Sequence, residues 1–211
     1  MAKKIVFFDD HTMVRQGLSS WFASQPDFSV EGSAGMVEEA ICLIDSLSKS
    51  FGNEKIIVVT DLSFSNEEKS GYDILDYIQK NAPNMLPVVY SSFYGGGYIT
   101  MACEKGAQAF VSKNSGEEQL LKAVEYILAG KTFIQGDLVN DMLSVRDMYR
   151  ILTKKELELL EYLAENLSKE DIAEKMNISL RTVENYLSRI YDKTYTKNTI
   201  ELLERMGRRF V

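Results

Sequence analysis

The sequence predicts an α/β domain built on a doubly wound, five-stranded parallel sheet, followed by a small all-α domain. Three observations carry that prediction. Over residues 1–130, apolar runs of strand length alternate with segments of helical period, as repeated βα units require. Those runs end at or just before Asp9, Asp10, Asp61, Ser91 and Lys113, so chemistry-bearing side chains recur at strand ends. Beyond Thr153 the strand signals stop and helix-capping residues recur at short intervals. At 211 residues the chain is long enough for two small domains, each able to bury a core.

The strands, in order, are IVFF (5–8), SVEGSA (29–34), IIVVT (56–60), PVVYS (87–91) and AFV (109–111). Their β-branched and aromatic residues suit a pleated, buried surface. The intervening helices are expected at 12–24, 36–48, 70–81, 98–105 and 116–129, joined by right-handed crossovers. In the last of them Leu120, Val124, Ile127 and Leu128 form a one-faced apolar stripe. Gly95, Gly96 and Gly97 should delay the fourth helix, because glycine loses the most backbone freedom when it becomes helical. Cys42 and Cys103 fall in helical patterns and read as small buried hydrophobes rather than a disulfide.

Residues 130–152 change character and read as a loop with a short linker helix. Thr153 and Glu156 then open a helix with a capping box, each side chain bonding the other's free amide. The box recurs at Ser168–Asp171 and Asn198–Glu201, whereas Ser179 reads as a plain N-cap. Four short capped helices make an all-α module.

Composition narrows the function classes. Apolar content of 45% and charged content of 26% are ordinary for a globular protein. No run approaches the ~18 apolar residues of a membrane span, and MAKKIVFFDD lacks the length of a signal peptide. One histidine and two distant cysteines cannot build a zinc site. A reducing cytoplasm is the expected compartment. Net charge is −7, yet residues 175–211 carry 8 basic against 4 acidic side chains, a gradient that points weakly to nucleic acid.

In an open parallel sheet, ligands bind at the carboxyl ends of the strands near a topological switch point. Asp9, Asp10, Asp61, Ser91 and Lys113 should therefore converge on one rim although they are distant in sequence. Three carboxylates, a hydroxyl and an ammonium suit one chemistry: acids that hold a hard cation, an acid that accepts a phosphoryl group, and donors to its oxygens. Any one of these acids could merely cap a helix or solvate a turn. An adjacent pair, a third acid and a lysine in order argue against that. His11, a lone histidine beside the pair, reads as a packing or solvated residue.

This constellation resembles the flavodoxin-like receiver domain of two-component response regulators, over residues 3–130. The resemblance implies that Asp61 is the phosphoacceptor and that Mg²⁺ is held by Asp10, Asp61 and the Ser63 carbonyl, with Asp9 acting through a water. It implies that Ser91 and Lys113 bind phosphoryl oxygens and that Phe110 is the aromatic that changes rotamer with Ser91. The chain departs from the pattern in its longer, proline-free loop after Asp61 (DLSFSNEEKSG) and in Asn114 after the lysine.

The segment LSKEDIAEKMNISLRTVENYLSRIYDK reads as a helix-turn-helix: helix 168–176, a turn at Asn177–Ser179, and helix 180–193. Val183, Leu187 and Ile190 give the second helix an anchored back, and Arg181, Glu184, Asn185, Ser188, Arg189 and Asp192 a polar front, as a major-groove helix needs. With LTKKELELLEYLAENLS before it and KNTIELLERM after it, the segment resembles the LuxR/NarL-type DNA-binding domain over residues 150–206. On that resemblance Arg181, Glu184, Asn185, Ser188 and Arg189 are candidates for groove contacts, and Lys169, Lys193 and Lys197 for phosphate contacts. Glu184 and Ser188 stand where the family favours basic residues.

The whole chain thus resembles a response regulator of the NarL/FixJ class: receiver 1–130, linker 131–152, helix-turn-helix domain 153–211. That implies a sensor histidine kinase and double-stranded DNA as partners, a homodimer when active, no membrane association, and no enzymatic activity beyond phosphoryl transfer to, and hydrolysis from, its own aspartate. Two other classes stay open on the residues alone. One is a protein-interaction regulator, phosphorylation-dependent or not, with weak or lost DNA binding. The other is a hydrolase with an aspartyl nucleophile, disfavoured because the chain has no inserted cap domain.

Overall fold

The computed structural model describes residues 2–64, 69–93 and 95–206, without the side chains of Arg146 and Tyr149. Ser65–Glu68, within the unusual loop after Asp61, and the C-terminal residues 207–211 lie outside the described residues. The chain divides into two compact units, Met1–Tyr94 with Met101–Gly136, and Gly95–Thr100 with Asp137–Val211.

Strands β1 (Lys3–Phe8), β2 (Phe28–Ala34), β3 (Ile56–Thr60), β4 (Met85–Ser91), β5 (Ala109–Ser112) and β6 (Phe133–Ile134) form one sheet in the order β2-β1-β3-β4-β5-β6. Every pairing is parallel. The five expected strands are present, and β6 adds a sixth within the stretch read as linker. Helices α1 (Thr12–Ala23), α2 (Val37–Phe51), α3 (Gly71–Asn81), α4 (Gly96–Glu104) and α5 (Glu117–Leu128) connect the strands. The chain moves outward from β1 to β2 and then returns to β3 on the other side, so the switch point lies between β1 and β3.

Alternation along the strands supplies both faces with apolar side chains. Ile5, Phe7, Ile57 and Val59 pack with Leu18 and Phe22 of α1 and Leu120, Val124 and Ile127 of α5. Val6, Phe8, Ile56 and Val58 pack with Ala40 and Ile44 of α2 and Ile74 and Ile78 of α3. A sheet covered on both faces needs strands apolar at nearly every position, which is why these runs show no polar alternation.

Two expectations fail here. Helix α4 begins at Gly96 rather than residue 98, so two of the three glycines are helical. Cys42 and Cys103 are free but exposed rather than buried. The buried stripe of α2 is Val37, Ala40, Ile44 and Leu47, and Cys42 lies off it. Cys103 likewise follows the buried Ala102 and turns to the other side of its helix.

In the second unit, α6 (Val139–Ile151), α7 (Lys154–Ala164), α8 (Lys169–Lys175), α9 (Leu180–Thr194) and α10 (Thr199–Arg205) surround a core that includes Leu159, Leu163, Ile172, Val183, Leu187, Ile190 and Leu202. The capping boxes at Thr153–Glu156 and Ser168–Asp171 form, and Ser179 caps α9 by accepting from the Thr182 amide. The box expected at Asn198–Glu201 closes differently. Asn198 accepts from the Glu201 amide, but the Glu201 carboxylate accepts from the amide of Lys197, one residue earlier. Ser70 and Asp73 form a further box at the start of α3, where Asp73 Oδ2 accepts from the Ser70 amide at 2.7 Å.

Candidate functional site

The residues at the sheet's carboxyl edge meet as the switch-point topology dictates. Asp9 and Asp10 follow β1 and Asp61 follows β3, and the two strands are neighbours with Phe8 paired to Thr60. The Asp61 amide donates to the Phe8 carbonyl at 2.8 Å, which extends the ladder one step past the strands and fixes where its side chain emerges. Ser91 ends β4, and Lys113 follows the last residue of β5.

Asp61 is 4% exposed and both of its oxygens are engaged. Oδ1 accepts from the Leu62 amide at 2.6 Å and from the Ser91 hydroxyl at 2.5 Å. Oδ2 accepts from Lys113 Nζ at 2.7 Å, and the same ammonium reaches Asp9 Oδ2 at 2.6 Å. Ser91 Oγ in turn accepts from the Phe93 amide at 3.2 Å, so its orientation toward Asp61 is held from behind. Burial acts to lower the pKa of Lys113, but the Asp61 charge and the hydrogen bonds to Asp61 and Asp9 outweigh it and hold the ammonium above the ordinary lysine value.

Asp9, Asp10 and Asp61, with the His11 ring, place one ligand atom each within 4.8 Å of one another. Carboxylate oxygens are hard donors, so the cluster can hold a divalent metal ion. His11 Nδ1 lies 2.7 Å from Asp10 and 3.3 Å from Asp9, with the ring largely exposed. It is solvated, as expected, but also bonded to both acids. Ser63 follows half-buried in the loop after β3. Phe110 is fully buried on β5, paired in register with Val89.

Three contributors gave no readable signal. Arg15, one turn into α1, donates to the Asp9 carbonyl. Gly71 opens α3 directly against Asp61, where a Cβ would lie 1.9 Å from the Asp61 carbonyl oxygen. Gln135, just past β6, accepts from the Ser112 amide and the Ser115 hydroxyl on either side of Lys113. All three act through tertiary contacts that no local spacing encodes.

In the second unit, Arg181, Glu184, Asn185, Ser188 and Arg189 are exposed on α9 opposite its buried Val183, Leu187 and Ile190. Lys169 at the start of α8 and Lys197 after α9 are also exposed. Lys193, read as a phosphate contact, is half-buried and paired within the domain. Its ammonium donates to both oxygens of Glu156 at 2.8 and 2.7 Å, and that carboxylate is 2% exposed. A buried carboxylate needs a paired cation, and Lys193 supplies it from a side chain that is itself only half-buried.

A parallel sheet of this order with an acidic cluster, a hydroxyl and a lysine at its switch point defines a receiver-type domain, and α8 and α9 form a helix-turn-helix. Comparison with known proteins agrees. The response regulator receiver domain family matches residues 5–125, and the luxR family of bacterial regulatory proteins matches residues 150–206. The oxygen regulatory protein NreC of Staphylococcus carnosus is 30% identical over 213 residues, 95% of each chain. The response regulator protein VraR of Staphylococcus aureus is 27% identical over 197 residues, covering 92% of this chain and 90% of the relative. RcsB of Salmonella enterica serovar Typhimurium, solved on a promoter with the phosphomimetic BeF3−, superimposes with a TM-score of 0.74 at 23% identity and 98% coverage of both chains. The chain belongs to the two-component response regulators of the NarL/FixJ class, which join a receiver to a LuxR-type DNA-binding domain. It is thus a regulator of transcription rather than an ordinary enzyme. Among the described residues no helix is long and apolar enough to cross a membrane.

Proposed function

We propose that Asp61 accepts a phosphoryl group from a sensor histidine kinase and that the phosphorylated chain regulates transcription as a DNA-bound homodimer. In this reading residues 1–130 receive, 131–152 connect and 153–211 deliver the output, with Phe133–Ile134 seated on the receiver's sheet. The observation that carries it is the Asp61 carboxylate, buried among two acids yet held by an ammonium at 2.7 Å and a hydroxyl at 2.5 Å. A carboxylate oxygen of Asp61 attacks the phosphorus, the phosphorus–nitrogen bond of the donor's phosphohistidine breaks, and the imidazole leaves with that electron pair. Lys113 and Ser91 are the donors nearest the gained charge and turn from the carboxylate to the phosphoryl oxygens. Hydrolysis of the acyl phosphate returns the free carboxylate.

Asp10, Asp61 and the Ser63 carbonyl, with Asp9 acting through a water, would hold Mg²⁺, which when bound would neutralise carboxylate and phosphoryl charge. Phe110 is fully buried and Ser91 is bonded to Asp61; in this reading Ser91 is drawn to the phosphoryl group on phosphorylation and Phe110 changes rotamer with it. Incubating the full chain with acetyl phosphate tests the assignment: Asp61 labels with Mg²⁺ and not without it, and Asp61→Asn abolishes labelling. Undiminished labelling in that variant would overturn it. For the output, Arg181, Asn185, Ser188 and Arg189 are proposed to reach base edges, and Lys169 and Lys197 the phosphates; RcsB solved as dimers on DNA is in keeping with this.

A second reading, a protein-interaction regulator with weak DNA binding, is favoured by one observation. Glu184 is exposed on the polar face of α9 while the Lys193 ammonium is taken up by Glu156, so that face is poorer in positive charge than its sequence suggests. Titration of random duplex DNA at two salt concentrations separates the readings, because groove binding is salt-dependent and absence of binding is not.

A further inference from the structure

We propose that Gln135 is a positioning residue for Lys113: it braces both ends of the short turn that carries the lysine and so sets where the ammonium meets Asp61. The inference rests on the reading of Asp61 as phosphoacceptor and concerns what holds that site's cation in place.

The geometry is specific. Lys113–Ser115 form a single 3₁₀ turn between β5 and α5. Gln135 lies one residue beyond β6, and its side chain is directed across the sheet edge to that turn. Its Oε1 accepts from the Ser112 amide at 3.0 Å, immediately before Lys113, and from the Ser115 hydroxyl at 2.7 Å, two residues after it. Its own amide donates to the Phe110 carbonyl at 3.1 Å, so backbone and side chain grip the same strand end. Ser112 adds a local tie by accepting from the Asn114 amide at 3.2 Å. Gln135 is 8% exposed and Ser112 4%, so water does not readily replace these bonds. The Ser112 amide in particular would lose its partner with the glutamine, and buried amides without partners are disfavoured.

Lys113 reaches Asp61 and Asp9 at 2.7 and 2.6 Å from a side chain only 12% exposed. A small drift of its backbone therefore shifts the ammonium relative to two carboxylates at once. Misplacement by about 1 Å of a charge-stabilising group can slow a reaction up to a hundredfold. Gln135 touches none of the reacting atoms, so its effect must pass through Lys113.

The test uses the full chain, acetyl phosphate with Mg²⁺, and the rate of Asp61 labelling against donor concentration. Gln135→Leu should lower the maximal rate on the order of tenfold, with little change in the half-saturating concentration. Gln135→Glu, which keeps both acceptor bonds, should restore the rate to within a few-fold. In a Lys113→Ala background Gln135→Leu should add no further loss, since the path runs through the lysine. A wild-type rate in Gln135→Leu, or a full additional loss without Lys113, overturns the proposal. If Gln135→Leu fails to fold, Ser115→Ala removes one of the two bonds and should give an intermediate loss; no loss there overturns it equally. Amide hydrogen exchange at Asn114 and Ser115 separates this inference from the phosphoacceptor reading. A wild-type chain that never labels at Asp61 ends that reading, whereas exchange at the turn accelerates in Gln135→Leu only if the glutamine braces it. Unchanged exchange overturns the brace.

Discussion

Tyr195 terminates α9 with φ at 55°, in the left-handed region, and is 88% exposed. Asn166 and Asn177 share that region, but asparagine tolerates it, whereas a bulky side chain pays a steric penalty of roughly 1–2 kcal/mol. Tyr195→Gly should therefore raise the stability of the helical unit by about 1 kcal/mol, read as a higher denaturation midpoint with an unchanged slope. Gly71 is the opposite case. Its missing side chain lets α3 start against the Asp61 backbone, so Gly71→Ala must push that backbone aside. The expected cost is about 1–3 kcal/mol, together with slower labelling of Asp61; a fully stable, fully active variant would show that the loop yields freely. At this scale the sequence was legible where function puts polar side chains at strand ends, and Asp9, Asp10, Asp61, Ser91 and Lys113 do meet. It was silent on Arg15, Gly71 and Gln135, whose contribution is a contact with backbone at separations that no helix or strand period encodes.

Between elements, the tie of α7 to α9 shows what periodicity can and cannot read. The capping box at Thr153–Glu156 was legible because its partners are three residues apart. The same carboxylate also binds Lys193, and thirty-seven positions of separation hide that pairing from any local pattern. Burial acts to raise the Glu156 pKa, but hydrogen bonds from Lys193 and Thr153 outweigh it and hold the carboxyl below its ordinary value. A depressed folded pKa stabilises fully above the unfolded value of about 4.3, and that contribution is lost as pH falls through the lower folded value. Acid titration of stability should therefore show a loss below about pH 4.3 that Glu156→Gln removes. Lys193→Met should cost about 3 kcal/mol by leaving a buried charge unpaired, and the variant should recover part of that loss when the carboxyl is protonated. Strand β6 was missed for a related reason: two residues, Phe133 and Ile134, carry no period, and only the open edge of β5 makes them a strand. The helical start at Gly96 is a propensity overridden by the tertiary fold.

Across the whole molecule the net charge of −7 opposes approach to DNA, so on the proposed DNA-bound reading the charges on and around α9 have to supply a local attraction. Lys197 is exposed and free to meet a phosphate, Lys193 is bound to Glu156, and Glu184 repels. Each phosphate neutralised on B-DNA steepens the dependence of log affinity on log salt by about 0.9. Lys197→Ala should accordingly flatten the slope by about one unit and weaken binding evenly across sequences. Glu184→Lys should steepen it by about one unit, strengthening random-duplex binding while eroding preference for any one site. Lys193→Met, compared at a temperature where circular dichroism shows it folded, should leave the slope unchanged, because its ammonium is not available to release a counterion. Anisotropy titrations of all three proteins over a range of salt decide the matter. Equal flattening in the Lys193 and Lys197 variants would mean that DNA draws Lys193 away from Glu156, and unchanged binding in every variant would remove α9 from the groove.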